Sequence, residues 1–563
     1  MRCSGILTLL LLLFPLVAFS QNAIISGTVT DEGGMGIPGV SIVELGTNNG
    51  TISDMDGNFR LSVNQTPARV SFSFIGYVTQ EVPVTGNASG IRVILEEDTK
   101  TIDEVVVVGY GQMKRSDLTG SVVSVDEKSI SRSVPTSVDQ VLQGRAAGVQ
   151  IQANSGTPGA STSIRIRGTN SLNATNQPIF VIDGVVVDPA GADASDPTSS
   201  NNPLASINPS DIVSMDILKD ASATAIYGAR ASNGVIMITT KRGKSGEATI
   251  TYDGYVGWQQ MAKKLDMMDL KQYAAHHNAR AAAGIVSFSD AFVNVNALGD
   301  GTDWQEALFD NGAFMQSHNL SVTGGNENNT YAMGAGYMNQ DGIAVGSGFR
   351  RLTLRGNMDS QVRKWVKNSL SFSLTDSKQE VGADNTVILN ALQSQPSAAL
   401  TSADGSYDGP DNGDGQAVWL PVNPIALATI KENFNKKLNF RINEALDFNI
   451  YKGITFKTEL SADYNTNKFY YYMPDYSFGV LTSDQREGSW TNTTTKYWSW
   501  RNILNYSETF AEKHRVNAML GQEMSHSHWE SQATQASGFL SNSVHDPSAG
   551  DRAASTGSGT QNN

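Results

Sequence analysis

Beyond residue 246 the chain is written with a period of two. In Ile454-Thr-Phe-Lys-Thr-Glu-Leu-Ser-Ala-Asp-Tyr464 one face carries Ile454, Phe456, Thr458, Leu460, Ala462 and Tyr464, and the other carries Thr455, Lys457, Glu459, Ser461 and Asp463. Extended backbone sorts such a pattern into an apolar and a polar face; a helix scrambles it. The same split recurs in Leu352/Leu354 against Arg351/Thr353/Arg355, in Leu370/Phe372/Leu374 against Ser369/Ser371/Ser373, and in Leu438/Phe440/Ile442 against Asn439/Arg441/Asn443. A soluble sandwich alternates in this way too. Segment lengths near the roughly 9–11 residues of a tilted membrane strand favour a barrel wall. So do aromatics at segment ends, Phe469 to Tyr472 and Trp498/Trp500, which are placed like interfacial girdles. About eight or nine such strands are expected over 246–540, followed by a polar tail at 541–563.

The N-terminus fixes the compartment. Met1-Arg2 is positive, Gly5 to Val17 is an apolar run, and Ala18-Phe19-Ser20 places small residues before Gln21. This is the pattern of a secretory leader over 1–20. The run falls short of the roughly 20 apolar residues of a spanning helix, and no later segment approaches that length. Cys3 is the only cysteine and precedes the apolar run, where a lipid anchor would need it afterwards, so a chain starting at Gln21 has no disulfide and no thiolate metal site. With 41 Lys and Arg against 55 Asp and Glu, the net charge is −14, which disfavours a nucleic-acid partner.

Residues 22–97 read as short strands, Ile24 to Thr30, Ser41 to Leu45, Phe59 to Val63, Val70 to Phe74 and Ile91 to Leu95, divided by Gly, Asn and Asp turns. A small β-sandwich is expected. Gly27-Thr-Val-Thr-Asp31, Ile37-Pro-Gly-Val-Ser41 and Thr51 to Phe59 resemble the carboxypeptidase regulatory-like domain, a noncatalytic transthyretin-like fold. Asp54-Met-Asp56-Gly57 opens like a calcium loop, but Gln65 stands where the loop requires glutamate, so a hairpin turn is expected. At 101–112, four valines (Val105, Val106, Val107, Val108) precede Gly109 and Tyr110. Such a run favours extended backbone, as a buried strand or as a strand offered to another protein's sheet edge.

From 113 to 243 the pattern is mixed. Strands are expected at Thr119 to Val125, Ile164 to Arg167, Ile179 to Ile182, Ile212 to Leu218 and Gly234 to Thr240. Helices are expected at Ser137 to Gln143, with a Ser137/Gln140 capping box, and around Ala221 to Tyr227. Gly243-Lys244-Ser245 lacks the first glycine of a phosphate loop, Ile238 standing there.

Four blocks in this region occur in a familiar order: Ile166-Arg-Gly168, Pro178 to Gly184, Ile217 to Gly228 and Gly234 to Lys241. With the leader, the accessory domain and the valine box, they resemble TonB-dependent outer-membrane transporters of the SusC/RagA subfamily, from about residue 24 to at least 260. The resemblance implies a mainly β chain: a transthyretin-like sandwich, an α+β plug, and part of a large antiparallel transmembrane barrel that in the whole family has about 22 strands. It makes Val105 to Tyr110 the TonB box, and Arg167, Gly168, Asp183, Gly184, Lys219, Asp220, Tyr227, Gly228 and Gly234 the plug motif. It implies active import of a glycan or peptide nutrient across the outer membrane. The implied partners are TonB, energised by ExbB/ExbD, a SusD-like surface lipoprotein, the ligand, and outer-membrane lipid. On strand count, and with Ala553 to Asn563 ending in no aromatic strand, the chain is expected to be the first part of a larger transporter.

No enzyme is expected. The seven histidines form no His-Glu-x-x-His pair, and His526 and His528, with Glu523 or Glu530 nearby, read as polar surface. Asp183 and Asp220 lack a nucleophile at defined spacing, so a role in fixing the plug is expected. Arg165 and Arg167 share a strand face, where links to the barrel wall and plain exposure are both open. No cofactor is implied. The rival readings are an exported β-rich adhesin or scaffold and, more weakly, a secreted carboxypeptidase.

Overall fold

The computed structural model describes residues 23–31, 33–47, 49–64, 66–74, 77–96, 105–108, 111–114, 122–127, 130, 137–171, 175–187, 203–309, 312–409, 421–479, 481–511, 514–551 and 556–562. The leader and residues Gly109 and Tyr110 lie outside them. The chain divides into two compact units, one up to Val106 with 114–117, the other comprising 107–113 and everything from Leu118 onward.

The first unit is a sandwich of two sheets. Its strands are β1 (Ala23–Thr30), β2 (Ser41–Glu44), β3 (Gly50–Ile52), β4 (Asn58–Val63), β5 (Ala68–Ser73), β6 (Gln80–Val84) and β7 (Ala88–Ile94). They are ordered β4-β1-β7 and β3-β2-β5-β6. Alternation drives the packing: in β4, Phe59, Leu61 and Val63 turn inward between exposed Asn58, Arg60 and Ser62. They meet Ile25, Val29, Ile42, Phe72 and Val93 in one apolar core. At the β3–β4 connection the Asp54 carboxylate accepts the backbone N–H groups of Asp56 (3.0 Å) and Asn58 (2.7 Å), so the residues that open like a calcium loop form a closed hairpin turn.

Between sandwich and plug, β8 (Val105–Val108) and β9 (Gly111–Lys114) form a two-stranded ladder. The plug follows, with β10 (Val122–Asp126), β11 (Val149–Ala153), β12 (Thr162–Ile166), β13 (Ile179–Ile182), β14 (Val185–Val187), β15 (Ile212–Leu218) and β16 (Val235–Thr240). Five of these make a sheet ordered β10-β15-β16-β13-β14, while β11 and β12 form a separate hairpin. All four residues of β13 are buried, as expected of an unbroken Ile-Phe-Val-Ile run covered on both faces. Ile164, Ile166, Phe180, Ile182, Met215 and Ile236 share one side with the helix Val138–Leu142, and Val181, Tyr227, Val235 and Met237 pack on the other. That helix corrects the capping-box expectation. Ser137 has extended N-cap backbone but makes no side-chain cap bond, and burial of Val138, Val141 and Leu142 holds the helix instead. The expected Ala221 to Tyr227 helix is one α-turn, Ala221–Thr224, followed by a 3-10 stretch that Gly228 bends at φ 68°.

The remaining strands are β17 (Gly246–Gln259), β18 (Ala313–Gly325), β19 (Asn329–Asp341), β20 (Ser347–Arg363), β21 (Val366–Val381), β22 (Glu432–Tyr451), β23 (Ile454–Met473), the short hairpin β24 (Tyr476–Phe478) and β25 (Leu481–Ser483), β26 (Glu487–Phe510), β27 (His514–Ser537) and β28 (Thr556–Asn562). Ten of them form one antiparallel up-and-down sheet, β17 to β23 followed by β26, β27 and β28. Nine of the ten lie within 246–540, in line with the eight or nine expected there. The tenth lies in the polar tail, where Thr556–Asn562 lacks any apolar alternation and is a strand because it pairs with Trp529–Gln535. Strands of 20 to 24 residues in β22, β23, β26 and β27 exceed the length of a spanning segment and continue beyond it. This moves Trp498 and Trp500 from a segment end to the middle of β26.

At one end of the sheet the connections are tight turns, 326–328, 364–365 and 452–453 among them; at the other they are long in sequence, spanning 260–312, 382–431 and 538–555. In outer-membrane barrels short turns face the periplasm and long loops the exterior. The long connections build a layer of their own around Trp304, Leu308, Val387, Ile425 and Leu427.

Candidate functional site

The plug lies against the polar face of the sheet, and that contact inverts ordinary burial. On β20, Arg351 (4%) and Arg355 (8%) are buried while Leu352 (47%) and Leu354 (41%) are exposed. Thr353, Asn357, Ser371, Thr375, Asn439, Arg441, Asn443, Glu459, Ser461, Asp463, Ser499 and Arg501 share that buried polar face. Opposite it runs an apolar band in which Leu354 pairs with Leu374, Leu374 with Phe440, Phe440 with Tyr464, and Leu460 with Trp500. Trp500 satisfies its indole N–H on Thr458 Oγ1 at 3.0 Å, within the same face. Toward the tight turns, Trp365, Phe448 and Phe456 line up with ring centroids 6.1 Å apart. Apolar outside and polar inside is the arrangement of a membrane barrel wall.

The seat is a set of directed polar bonds. Asp183 and Gly184 form the tip of the β13–β14 hairpin, both at positive φ (48° and 90°), as a two-residue type I′ turn requires. The Asp183 carboxylate accepts from Thr240 N (2.9 Å) and Thr240 Oγ1 (2.7 Å), binding the tip to β16. The tip carbonyls face the wall: Asp183 O accepts from Asn443 Nδ2 (3.0 Å), and Gly184 O from Arg501 Nη2 (2.6 Å), itself paired with Glu459 at 2.7 Å. A Cβ on Gly184 would stand 2.8 Å from Glu459 Oε1, so the close approach requires glycine. Arg355 binds Asp211 Oδ1 (3.0 Å) and Lys241 O (2.9 Å). Asn357 donates to Lys241 O (2.7 Å) and Thr240 Oγ1 (3.1 Å). Arg242 pairs with Asp359 (3.1 Å), and Arg230 with Glu523 (3.2 Å). Burial pushes the Asp211 carboxyl above its usual range, with Arg355 pulling it back. Gly243 passes so close to β19 that a Cβ would lie 2.3 Å from Tyr331 N, which gives that glycine a packing role in place of a phosphate-loop one.

The other motif residues sit within the plug. Arg167, at φ 58° beside Gly168 (φ 98°), pairs with Asp220 and donates to Lys219 O at 3.3 Å, so its link is internal and not to the wall. The Lys219 amine donates to Ala147 O, and burial, followed by the charge of Arg167, holds it below its usual range. Arg165 is exposed on β12. Tyr227 is buried with its hydroxyl 3.8 Å from Met237 Sδ, and desolvation pushes the phenol up to about 12. Gly234 (φ 95°) leaves room for Ile166, whose Cδ1 would be 2.7 Å from an added Cβ. No grouping of His, Cys, Asp and Glu suited to a metal occurs among the described residues; His526 stands beside Trp498, 6.3 Å between ring centroids. The wall partners Arg355, Asn357, Asn443, Glu459 and Arg501 were not singled out from sequence. The only signal for them was their parity within the alternation.

Two larger cavities lie between the plug and the sheet, one at the seat and one away from it. One of about 500 Å³ lies between plug and wall, among Asp183, Gly184, Arg242, Asp359, Glu459 and Arg501. A second of about 400 Å³ lies at the long-loop end, beneath the β11–β12 tip.

Residues 114–235 match the family model of the TonB-dependent receptor plug domain, and 25–107 that of the CarboxypepD_reg-like domain. The chain is 34% identical to TonB-dependent receptor P3 of Formosa agariphila over 96% of its own length and 52% of that receptor's. It is 35% identical to TonB-dependent receptor SusC of Bacteroides thetaiotaomicron over 85% of its length and 48% of the relative's. Among solved structures, the RagAB peptide importer in its open-open state superposes with a TM-score of 0.69 at 25% identity, over 82% of this chain and 53% of that one. The chain spans about half the length of the curated relatives it matches.

Proposed function

The chain belongs to the SusC/RagA-type TonB-dependent receptors of the outer membrane, and on that premise we propose that the polypeptide carrying it imports a nutrient actively, as the channel of a SusCD-type complex. One observation carries the reading: a folded plug with its own apolar cores is held by polar side chains on the inner face of an outward-apolar sheet. The solute is a glycan or a peptide. Val105 to Tyr110 serves as the TonB box, adding a strand to TonB in the periplasm, where main-chain pairing supplies affinity. Force from TonB, energised by ExbB/ExbD, then displaces plug elements. A SusD-like lipoprotein covers the long-loop end. No covalent chemistry on the solute is needed, and none of the plug aspartates is assigned any.

The adhesin reading stacks these strands as soluble sheets, which would cover the outward band of Leu352, Leu354, Phe440, Leu460 and Trp500 with protein. A face exposed along several adjacent strands speaks instead for lipid. The test is deletion of Val105 to Val108 in the natural outer-membrane polypeptide. Ligand capture by whole cells should persist while uptake stops; uptake that continues unchanged rejects the import mechanism.

A further inference from the structure

The cavity at the long-loop end has a chemistry that the plug seat does not. Its floor is the β11–β12 tip, which is held in position: Pro158 O accepts from Gln379 Nε2 at 2.9 Å, and Gly159 (φ 73°) lies where a Cβ would be 2.2 Å from the Phe349 ring. Its wall is the inner face of β22 and β23, where Asn435 stands opposite Phe469. Asn385 and Ile388 enter from the loop helix Asn385–Gln393.

Among the described residues only one charged side chain, Asp384, lines this space, and its carboxylate is already engaged by Lys431 Nζ (2.5 Å) and Val387 N (3.0 Å). Lys437, the next inward position on β22, does not line it. Gln379 and Asn154 are engaged within the chain, on Pro158 O and Ser161 Oγ, but three other amides are uncommitted. Asn433 Oδ1 is buried with no hydrogen-bond partner among the described residues. Asn435 is 8% exposed, and neither it nor Asn385 makes a side-chain hydrogen bond to another described residue. Buried amide groups are ordinarily paired, so Asn433 Oδ1 and the Asn435 amide await donors and acceptors from outside the chain, while Asn385 is exposed on the loop helix. Beside them Phe469, Phe309 and Ile343 offer apolar plates. A volume of about 400 Å³ is that of a small-ligand site.

Resting on the import reading, we infer that this cavity binds an uncharged, hydroxyl-rich segment of the imported solute, a neutral glycan unit and not a peptide. Hydroxyls of the glycan exchange hydrogen bonds with Asn385, Asn433 and Asn435, while a C–H face of the sugar ring lies on Phe469, whose ring face is negative and attracts it. A peptide would bring termini and charged side chains into a space with no unengaged countercharge. The plug contributes the floor, so occupancy is registered by the element that must later move.

The experiment uses the purified natural outer-membrane polypeptide that contains these residues, with calorimetric titration against neutral α- and β-linked glucan, mannan and xylan oligosaccharides and against a tryptic peptide mixture. At least one oligosaccharide should saturate. The variants Asn435→Leu and Phe469→Ala should each weaken it about tenfold, as expected when a site built for hydroxyls loses a partner. Asn385→Ala, on a loop helix outside the sheet, serves as the third variant where a wall substitution prevents folding. Saturable binding of peptides alone, or oligosaccharide binding unchanged in all three variants, overturns the assignment. Uptake by cells lacking Val105–Val108 separates the two readings: box-dependent uptake of peptide keeps import and rejects the glycan site, whereas box-independent uptake of glycan rejects import and keeps the site.

Discussion

Replacing Arg355 by methionine tests whether the plug is held by its polar seat. The guanidinium bridges two plug groups, Asp211 Oδ1 at 3.0 Å and Lys241 O at 2.9 Å, and both ionised side chains are largely buried, 7% and 15% exposed. Methionine fills much of the same volume but removes the countercharge. Breaking a buried pair from one side costs about 3–5 kcal/mol, mostly because the surviving charge is left without a partner. At 1.4 kcal/mol per factor of ten, local opening of the plug sheet should rise by about a hundredfold to a few thousandfold. Hydrogen exchange read by mass spectrometry on peptides covering Ile212–Leu218 and Val235–Thr240 should show that loss of protection, with β22 and β23 unaffected. The effect should depend on pH. Asp211 already sits above its usual range through burial, and removing Arg355 takes away the group that opposes this. A carboxyl whose folded value exceeds its unfolded one binds protons more readily when folded, so the deficit should be largest at neutral pH and shrink on acidification. The double variant Asp211→Asn/Arg355→Met should recover most of the protection, since removing both charges removes the desolvation penalty. Protection within threefold of the parent in the single variant, or no recovery in the double, refutes the reasoning.

Further expectations follow from individual contacts. Gly184→Ala should loosen the β13–β14 tip by about 2 kcal/mol or more, because the left-handed backbone alone costs about 1–2 kcal/mol and the added Cβ would approach Glu459 Oε1 to 2.8 Å; protease accessibility of the plug reads the change. Leu354→Lys, on the outward band, should lower the stability of the folded barrel by about 2–4 kcal/mol in urea titration in lipid, with plug protection unchanged. Thr240→Val should cost about 1–3 kcal/mol locally by leaving Asp183 Oδ2 without its hydroxyl donor, seen as faster exchange at Asp183 and Gly184. Tyr227 should stay protonated in ultraviolet titration until pH approaches about 12, and a phenolate signal lost on Tyr227→Phe near pH 10 would contradict its burial.

How much of this was legible beforehand divides along a physical line. Period-two alternation reports which residues share a face, so the division of Leu352/Leu354 from Arg351/Arg355 could be read directly and stands in the structure. Alternation does not report register. Nothing local to Asn443, Glu459 or Arg501 marks them as the residues that meet the Asp183–Gly184 tip, because β22, β23 and β26 bring them there from far apart in sequence. Length misled in the same way. A strand continues past the bilayer wherever its neighbour continues to pair, so Trp498 and Trp500 fall mid-strand, and Thr556–Asn562 becomes a strand through its partner alone. The Ser137/Gln140 box failed for the complementary reason: a five-residue helix seated by Val138, Val141 and Leu142 is stable without a cap bond.

The contrast between how the plug is built and how it is seated bears on the mechanism proposed above. Inside the plug, Ile164, Ile166, Phe180, Met215, Ile217 and Ile236 form an apolar core whose exposure would carry the full hydrophobic cost. At the wall the described residues form no comparable apolar layer beyond Tyr497 packed on the plug, and the contact is made mainly by bonds such as those of Arg355, Asn357 and Arg501 beside a cavity of about 500 Å³. Hydrogen bonds exchanged for water are worth only about 0.5–1.5 kcal/mol each on balance, provided water reaches both partners as they separate. A cavity bordering the Asp183–Gly184 tip supplies that access. Pulling should therefore part the plug from the wall bond by bond while its own sheet survives, and the element of least resistance should be one with internal ties weaker than its seat. The Asp183 tip is bound to β16 through Thr240 as well as to the wall, so it should leave with β16 and not ahead of it. Cross-linking Asp183→Cys to Thr240→Cys within the plug should accordingly leave uptake intact, whereas Gly184→Cys joined to Asn443→Cys on the wall should abolish it.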